Sequence, residues 1–445
     1  MGVTFDAALP GTPEAAWRTF RAGLPPLDLG PLAALVVVAA HPDDETLMAG
    51  GLIATAASRG VPVDVVVASS GEASHPRSTT WTPQALAAAR EREVAEALAV
   101  LAPDARLHLL RLPDGGLTDC EDAIAAAVER VAAPGAAIVS TWSADGHPDH
   151  AAAARAVTTA SERVGGVHLQ APIWAWHHGD PTTAAWPAAR LDLAPAAAAA
   201  KAAAMRVHVT QTEALGPKAG DEALLRPDVL AHFLVGAEVL LPTGPARPVD
   251  FGAMYAATDD PWGFADRWYE RRKRAVLAAA LPTERLGRVL EIGCSTGLGT
   301  RALAERADEV VAVDVADSAV RQARERLREA PHVRVEQRRL PDEWPDDWAP
   351  FDAIVLSETG FYLAGDLLAR VAERCRAQLR PGGVLVLCHW RPWVLGLDRG
   401  GDAVHAVVRD RFGGTRTVRH EEEDFLLEVL QVDPATSVAR ATGLR

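Results

Sequence analysis

The sequence predicts an α/β protein of two doubly wound domains, each a mostly parallel sheet flanked by helices. Apolar, strand-like runs alternate with helical stretches along the chain, and 445 residues are more than one hydrophobic core supports. A stretch at 242–261 is rich in Pro, Gly and Asp and lacks periodicity. We therefore expect a first domain over 1–241, a linker over 242–261 and a second domain over 262–445.

Bulk composition narrows the classes of function. A hydrophobic share of 49% beside 23% charged residues is typical of a soluble globular protein. The net charge of −14 argues against a nucleic-acid partner, because binding phosphates needs a basic face. Short or interrupted apolar stretches predict no membrane span, and no signal peptide is apparent. The four cysteines form no CxxC pair, which favours a reduced, cytoplasmic protein. The oligomeric state is not indicated.

In the first half, apolar runs predict buried parallel strands at 34–40, 61–68, 106–112 and 136–141. Helices are predicted at 46–59, 84–101, 120–132 and 150–164. Ligands of such sheets bind beyond the carboxyl ends of the strands. Two motifs should reach that edge, His41-Pro42-Asp43-Asp44-Glu45 after the first strand and His147-Pro148-Asp149-His150 after the fourth.

These motifs have the composition of a catalytic metal site. His41, Asp44 and His150 can point toward one centre, and two imidazoles with one carboxylate leave a coordination position open. Asp43 is then free to take a proton from water, and His147, if protonated, can stabilise an oxyanion. The alternative is that these are turn residues and that Asp44 simply caps the next helix. Two motifs at one sheet edge favour the metal site.

The two motifs resemble those of the PIG-L/LmbE-like metal-dependent de-N-acetylases, over roughly residues 30–240. The resemblance implies zinc or another divalent metal on His41, Asp44 and His150, with Asp43 as general base and His147 as oxyanion stabiliser. It also implies an N-acetylglucosamine-type conjugate as the small-molecule substrate. Asp145 stands where some members have a tyrosine near the oxyanion. Five tryptophans could line a sugar pocket or pack in the core: Trp81, Trp142, Trp174, Trp176 and Trp186.

The second half begins with a predicted helix over 262–280, whose basic patch at 271–274 we interpret as a solvated face. Strands are predicted at 288–292, 309–315, 332–338, 351–357 and 383–389, with two more within 414–432. Helices are predicted at 298–307, 317–329 and 366–379. This order is expected of a Rossmann-like methyltransferase that uses S-adenosylmethionine (SAM).

The loop after the first of these strands indicates the cofactor. Its pattern is Glu291-x-Gly293-x-Ser295-x-Gly297-x-Gly299, whereas a nicotinamide enzyme would show G-x-G-x-x-G. The acidic residue suits the methionine ammonium group of SAM, and Asp314, ending the second strand, can accept both ribose hydroxyls. Ser295 departs from the usual glycine. A dinucleotide site and a turn without cofactor are the alternatives.

Ser357 and Glu358 end the fourth strand, where the methyl acceptor lies in this fold. Together with segments around Leu340 and His389, they resemble the nodulation-factor (NodS-type) N-methyltransferases over about residues 250–440. The resemblance implies an amine acceptor and SAM, bound by Glu291, Gly293, Ser295, Gly297, Asp314, Leu340 and Ser357. Ser357, Glu358 or His389 could hold or deprotonate the ammonium group.

The two chemistries depend on each other. An amide nitrogen is delocalised and nearly non-nucleophilic, so an N-acyl group must be hydrolysed before the nitrogen can be methylated. The sequence therefore predicts a bifunctional enzyme that deacetylates an amino-sugar conjugate and then methylates the liberated amine. Three alternatives are an O- or C-methyltransferase acting separately from the hydrolase, a non-catalytic sugar-binding first half, and a nicotinamide oxidoreductase in the second half.

Overall fold

A computed structural model describes residues 10–243, 249–345, 348, 350–397 and 399–444. The chain divides into two compact units, Met1–Gly244 with Val394–Gly396, and Pro245–Trp393 with Leu397–Arg445. Both are α/β units, as the alternating pattern predicts. Among the described helices, none is long and apolar enough to cross a membrane. All four cysteines are unpaired, which confirms that they form no disulfide framework.

The first unit contains a seven-stranded sheet. Its strands are Leu35–Ala39 (β1), Val63–Ser69 (β2), Arg106–Leu112 (β3), Ala137–Thr141 (β4), Val167–Ala171 (β5), Ala189–Asp192 (β6) and Ala237–Thr243 (β7). They lie in the order β3-β2-β1-β4-β5-β7-β6. Strands β1 to β5 are parallel, and β7 is antiparallel to β5 and β6. The chain therefore reverses its direction across the sheet between β1 and β4, the position at which ligands of doubly wound folds bind.

Helices cover both faces of this sheet. They are Arg18–Gly23 (α1), Asp44–Ser58 (α2), Pro83–Leu101 (α3), Glu121–Val131 (α4), Pro148–Val164 (α5), Trp174–His178 (α6), Pro195–Met205 (α7), Val209–Thr212 (α8) and Pro227–Leu230 (α9). The apolar faces of α4 and α5 form one core with β1, in which Val36, Ile124 and Val157 are fully buried. Because α2 and α5 begin directly after β1 and β4, their first residues lie at the carboxyl edge of the sheet.

The second unit has the same strand order. Its strands are Arg288–Ile292 (β8), Glu309–Asp314 (β9), Val333–Gln337 (β10), Phe351–Ser357 (β11), Leu379–Trp390 (β12), Thr415–Glu421 (β13) and Phe425–Gln431 (β14), ordered β10-β9-β8-β11-β12-β14-β13. Strands β8 to β12 are parallel, and β14 is antiparallel to both of its neighbours. The helices are Phe251–Ala257 (α10), Trp268–Ala280 (α11), Leu298–Ala304 (α12), Asp317–Arg326 (α13), Leu367–Gln378 (α14), Gly401–Phe412 (α15) and Val438–Ala441 (α16).

The predicted linker and the helix after it require correction. Residues 242–243 belong to β7, residues 244–248 lie outside the described part of the chain, and 251–257 form α10. Tyr255 of α10 packs with Ala316 and Ala319 of the second unit, so the packing favours helix despite the poor local pattern. The predicted helix over 262–280 begins only at 268. The carboxylate of Asp260 accepts hydrogen bonds from two backbone N–H groups at 264 and 265 and holds a turn there.

Candidate active sites

The three predicted metal ligands lie together at the carboxyl edge of the first sheet. Asp44 begins α2, and its Oδ2 lies 3.6 Å from His41 Nδ1 and accepts a 2.9 Å hydrogen bond from the His41 backbone N–H. Its Oδ1 lies 3.4 Å from Nε2 of His150, in the first turn of α5. All three side chains are buried, and the candidate ligand atoms lie within 4.8 Å of one another. The expected juxtaposition of the two motifs is therefore present.

The donor set fits a divalent metal. His150 Nε2 is buried and has no hydrogen-bond partner among the described residues, a costly arrangement unless something else binds it. Burial alone would lower the pKa of His150, but the nearby carboxylates of Asp44 and Asp145 raise it to about 9. The surroundings therefore favour a positive charge at this position. Two imidazole nitrogens and a carboxylate match the ligand preferences of zinc.

A further carboxylate pair holds His41 from its other side. His41 Nε2 lies 3.1 Å from Asp114 Oδ1 and 3.3 Å from Asp149 Oδ2. The candidate ligand atoms of these three residues also lie within 4.8 Å of one another, close enough to share a metal ion. We interpret the carboxylates as acceptors for Nε2–H, because that arrangement leaves Nδ1 for the Asp44 side. Burial by itself would raise the pKa of Asp114, but the hydrogen bond to His41 lowers it to about 2.

Asp43, the predicted general base, is held beside the ligands in a strained conformation. Its φ is +141°, which non-glycine residues rarely adopt, and its N–H donates to the Glu45 carboxylate at 3.0 Å. Its carboxylate lies 3.1 Å from Nη2 of Arg90, whose guanidinium also donates to the carbonyls of Gly71 and Pro42. Burial raises the pKa of Asp43, and Arg90 opposes that shift. A raised pKa suits a carboxylate that must accept a proton.

His147 lies against both metal-site histidines. Its ring centroid is 5.0 Å from that of His41 and 4.7 Å from that of His150. Burial and the charges of these two neighbours lower the pKa of His147 to about 3, so the imidazole is neutral at pH 7. Because its Nδ1 accepts the Asp149 backbone N–H at 3.2 Å, the proton belongs on Nε2. His147 can thus serve an oxyanion as a neutral hydrogen-bond donor.

Two of the five candidate tryptophans are buried, Trp174 at 7% and Trp176 at 4% exposure, and the core-packing alternative holds for these two. Trp142 and Trp186 are half-buried, and their rings lie 5.0 Å apart. The rings of Trp176 and Trp186 each lie 5.0 Å from that of the buried Trp17. Trp174 stacks on His178 at 6.2 Å, and Trp81 is half-buried just before α3.

In the second unit, the predicted cofactor loop is built around two carboxylates. Asp314, at the end of β9, accepts backbone N–H groups from Ser295 at 2.8 Å and Ala316 at 2.9 Å. Glu291 is buried in β8, and its Oε2 accepts the Thr300 hydroxyl at 2.5 Å. Burial, with Asp314 nearby, raises the pKa of Glu291 to about 7. These hydrogen bonds fix the loop, and an acidic side chain lies toward the carboxyl end of both β8 and β9.

The three loop residues have left-handed backbone conformations. Gly293, Ser295 and Gly297 have φ of +80°, +49° and +81°. Such values favour glycine, so the serine needs a reason. Its Oγ lies 2.6 Å from the hydroxyl of Tyr255, on the helix that replaces the predicted linker. Leu340 is buried in the segment after β10. The backbone N–H of Arg338 donates to the Asp314 carbonyl, which ties this segment to β9.

Glu358 is held by two partners at the end of β11. Its Oε1 lies 2.7 Å from Nζ of Lys273, and its Oε2 accepts a hydrogen bond from the backbone N–H of Trp390 at 3.1 Å. Lys273 also lies 3.0 Å from the Glu270 carboxylate and is only 4% exposed. The interpretation of the basic patch as a solvated face is therefore wrong for Lys273. Ser357 precedes Glu358 and is half-buried at the same edge.

His389 is fully buried in a hydrogen-bonded relay. Its Nε2 accepts the Gly360 N–H at 3.0 Å, and its Nδ1 lies 3.1 Å from Nε2 of His405. His405 Nδ1 lies 2.9 Å from the Glu428 carboxylate. The anionic end fixes one set of tautomers, in which each imidazole donates toward Glu428. Burial, the adjacent His405 and Lys273 lower the pKa of His389. His389 thus positions the 358–360 segment, with both ring nitrogens occupied.

Several of these residues do not stand out in the sequence. Asp114 had a usable signal, since Leu112-Pro113-Asp114 follows a predicted strand as the two motifs do. Arg90, on an Ala-rich helix, offered only the presence of a charge on a mostly apolar face, which also carries Glu93. Tyr255 and Lys273 gave no sequence signal, because each acquires its role through a partner at least 40 residues away.

Comparison with known proteins relates each half to a family. Residues 36–161 match the family model for GlcNAc-PI de-N-acetylase (PIG-L), and residues 289–383 match that of a methyltransferase domain. The first half is similar to 1D-myo-inositol 2-acetamido-2-deoxy-alpha-D-glucopyranoside deacetylase of Rhodococcus opacus, with 34% identity over 159 residues. That match covers 29% of this chain and 54% of that protein.

The second half is similar to nodulation protein S of Rhizobium tropici, with 30% identity over 132 residues, 29% of this chain and 55% of that protein. A crystal structure of a protein from Pseudomonas syringae, assigned as a methyltransferase, is 45% identical and covers 37% of this chain and 99% of that one, with a TM-score of 0.34. The N-methyltransferase NodS from Bradyrhizobium japonicum, in complex with S-adenosylhomocysteine (SAH), is 26% identical over 40% of this chain and 94% of that one, with a TM-score of 0.36.

The chain thus carries two domains of different enzyme families. Its first half contains a domain of the PIG-L de-N-acetylase family, and its second half contains a methyltransferase domain. The chain spans about half the length of the Rhodococcus opacus and Rhizobium tropici proteins.

Proposed function

We propose that this protein removes an N-acetyl group from an amino-sugar conjugate, with zinc or another divalent metal, and then transfers a methyl group from SAM to the liberated amine. The observation that carries the proposal is the buried Nε2 of His150, which lies beside Asp44 and His41 and has no hydrogen-bond partner among the described residues, in a chain that also carries a methyltransferase domain. The first reaction makes the nucleophile that the second requires, because an amide nitrogen does not attack a methyl sulfonium.

For hydrolysis, the residues divide into ligands, a base and a donor. His41, Asp44 and His150 would hold the metal, which when bound would acidify water and polarise the amide carbonyl. Asp43 accepts the proton of the attacking water, held in place by Arg90. The new C–O bond forms, Asp43 passes the proton taken from water to the nitrogen as the C–N bond breaks, and acetate and a primary amine leave. His147 donates a hydrogen bond from Nε2 to the carbonyl oxygen as negative charge develops there.

For methylation, the residues bind and orient. The left-handed loop of Gly293, Ser295 and Gly297 would bring its backbone close to SAM, with Asp314 to hold the ribose and Glu291 to hold the methionine ammonium group. SAM would supply an electrophilic methyl group and leave as SAH. Glu358, anchored by Lys273 and the Trp390 N–H, orients the acceptor amine through its remaining lone pairs. Methyl transfer itself depends mainly on this positioning.

Mass spectrometry of products from a panel of N-acetylated amino-sugar conjugates tests the proposal. Purified protein with zinc and SAM should convert one or more of them, first with loss of acetyl and then with gain of methyl. NMR of the product should place the methyl group on nitrogen. Conversion to neither amine nor N-methylamine across the panel, or a methyl group on oxygen or carbon, would refute it.

A further inference from the structure

The carboxylate of Asp145 is enclosed on all sides by hydrogen-bond donors. Its Oδ1 accepts the backbone N–H groups of Ile173 and Ala175, both at 2.8 Å. Its Oδ2 accepts the Trp174 N–H at 3.0 Å and lies 2.6 Å from Nδ1 of His150. The residue is 1% exposed. A carboxylate offers about four lone-pair positions, and here four donors occupy them.

This arrangement excludes one role for Asp145. An ionised carboxylate only accepts hydrogen bonds, so it cannot donate to an oxyanion as a tyrosine hydroxyl would. Its occupied oxygens also leave none for a substrate hydroxyl. The position that carries tyrosine in some members of the PIG-L family therefore has a different task in this protein.

The contact with His150 identifies that task. A hydrogen-bond acceptor beside Nδ1 keeps a proton on Nδ1. When a cation displaces the proton on Nε2, the Nε2 lone pair becomes available on the opposite side of the ring. Nε2 is the atom that lies 3.4 Å from Asp44 without a hydrogen-bond partner. The three backbone donors at 173–175 fix Asp145 itself to the segment that follows β5. The orientation of the ring is thus set from outside the metal site.

We propose that Asp145 is a positioning residue for the metal centre, which selects the tautomer and fixes the ring plane of His150 and does not contact the substrate. This role rests on the proposed metal-dependent deacetylation. Asp145 would then control the affinity of the site for the metal and not the binding of the transition state.

Asp145→Asn is the variant that tests this assignment. In either amide orientation the NH2 faces two of the four donors. Because His150 can change its tautomer and the backbone N–H groups cannot, the amide oxygen should keep Ile173 and Ala175, and the NH2 then faces Trp174 and His150. His150 Nδ1 then accepts, which moves the ring proton to Nε2 and blocks that atom as a ligand. We expect the zinc affinity, measured by competition with a chromogenic chelator, to fall about 10- to 100-fold.

Asp64→Asn is the matched control. Asp64 is also a buried aspartate, 2% exposed, and it accepts from His108 Nε2 at 2.8 Å. It lies near the amino end of β2, the opposite edge of the sheet from the metal ligands. We expect this variant to lose stability while its zinc affinity stays that of the unmodified protein. An equal loss of zinc affinity in both variants would contradict a specific role for Asp145.

The outcomes separate the inference from the function on which it rests. Zinc binding by the unmodified protein with unchanged affinity in Asp145→Asn would overturn the inference alone. Failure of the unmodified protein to bind zinc would overturn the proposed metal centre as well. If Asp145→Asn does not fold, 15N NMR of the zinc-loaded unmodified protein decides: His150 should carry its proton on Nδ1 and coordinate through Nε2. Coordination through Nδ1 would refute the role assigned to Asp145.

Discussion

A buried ion pair fixes the helix that begins with Asp44, a candidate metal ligand. Glu238 of β7 and Lys201 of α7 are 3% and 2% exposed, and their charged atoms lie 2.8 Å apart. The Glu238 carboxylate also accepts backbone N–H groups within α2, from Gly51 at 2.7 Å and Leu52 at 2.9 Å. The Glu238 side chain thus connects β7 with Lys201 and with α2.

Replacing Glu238 by glutamine should strongly destabilise the first unit. The substitution leaves the Lys201 ammonium group buried without its anion, which costs about 3–5 kcal/mol. For a unit of this size, each kcal/mol lowers the midpoint of thermal unfolding by about 2–4 °C. We therefore expect differential scanning calorimetry to show the transition of the first unit lowered by about 6–20 °C.

The double variant Glu238→Gln/Lys201→Met is the control for this reasoning. Removing both charges eliminates the unpaired ammonium group, so the double variant should be more stable than Glu238→Gln alone. A loss below about 1 kcal/mol in Glu238→Gln, or a double variant less stable than that single variant, would show that the unpaired charge is not the dominant cost.

Three further predictions concern the second unit. With a pKa of about 7 for Glu291, the ionised fraction of its carboxyl group rises from about 0.1 at pH 6 to about 0.9 at pH 8. The affinity for SAH, measured by calorimetry, should therefore rise about tenfold over that interval. Glu291→Gln should abolish this rise, and a variant that keeps it would refute the role of Glu291. Tyr255→Phe removes the hydrogen bond to Ser295 and should weaken SAH binding about fivefold, the equivalent of about 1 kcal/mol; unchanged affinity would contradict a role in the cofactor loop. Burial alone would raise the pKa of Glu428, but hydrogen bonds from His405, Arg409 and Arg416 lower it from 4.5 to about 2. Its stabilising effect is therefore complete above pH 4.5 and lost as the pH falls toward 2, and acid unfolding of Glu428→Gln should depend less on pH in that window.

The cluster of candidate metal ligands was predictable because its signals are local. His41 and Asp44 follow one strand and His150 follows another, and parallel topology brings strand ends to one edge. The cofactor loop was predictable for the same reason, since Glu291 to Gly297 and Asp314 each adjoin a strand of strongly apolar pattern. The fold class, and most strands and helices to within about three residues at each end, follow from the same periodicity.

The remaining features depend on partners distant in sequence. Lys273 belongs to a run of basic residues, and only the pairing with Glu358, 85 positions later, shows that it is buried. Tyr255 lies in a stretch of poor helical pattern whose helix forms through packing on another segment. The backbone N–H groups at 173–175 that surround the Asp145 carboxylate lie 28 to 30 residues further along the chain. The hydrophobic periodicity of a short stretch of sequence does not indicate such long-range contacts.

The central claim is that deacetylation must precede methylation, and the Asp43→Asn variant tests it most directly. With zinc and SAM, methyl transfer by this variant is measured on an N-acetylated conjugate and on the same conjugate already deacetylated. We expect the variant to leave the N-acetylated compound unchanged, because it lacks the general base, and to methylate the free amine at the rate of the unmodified protein. Methylation of the N-acetylated compound without loss of acetyl, or no methylation of the free amine by either protein, would contradict the account.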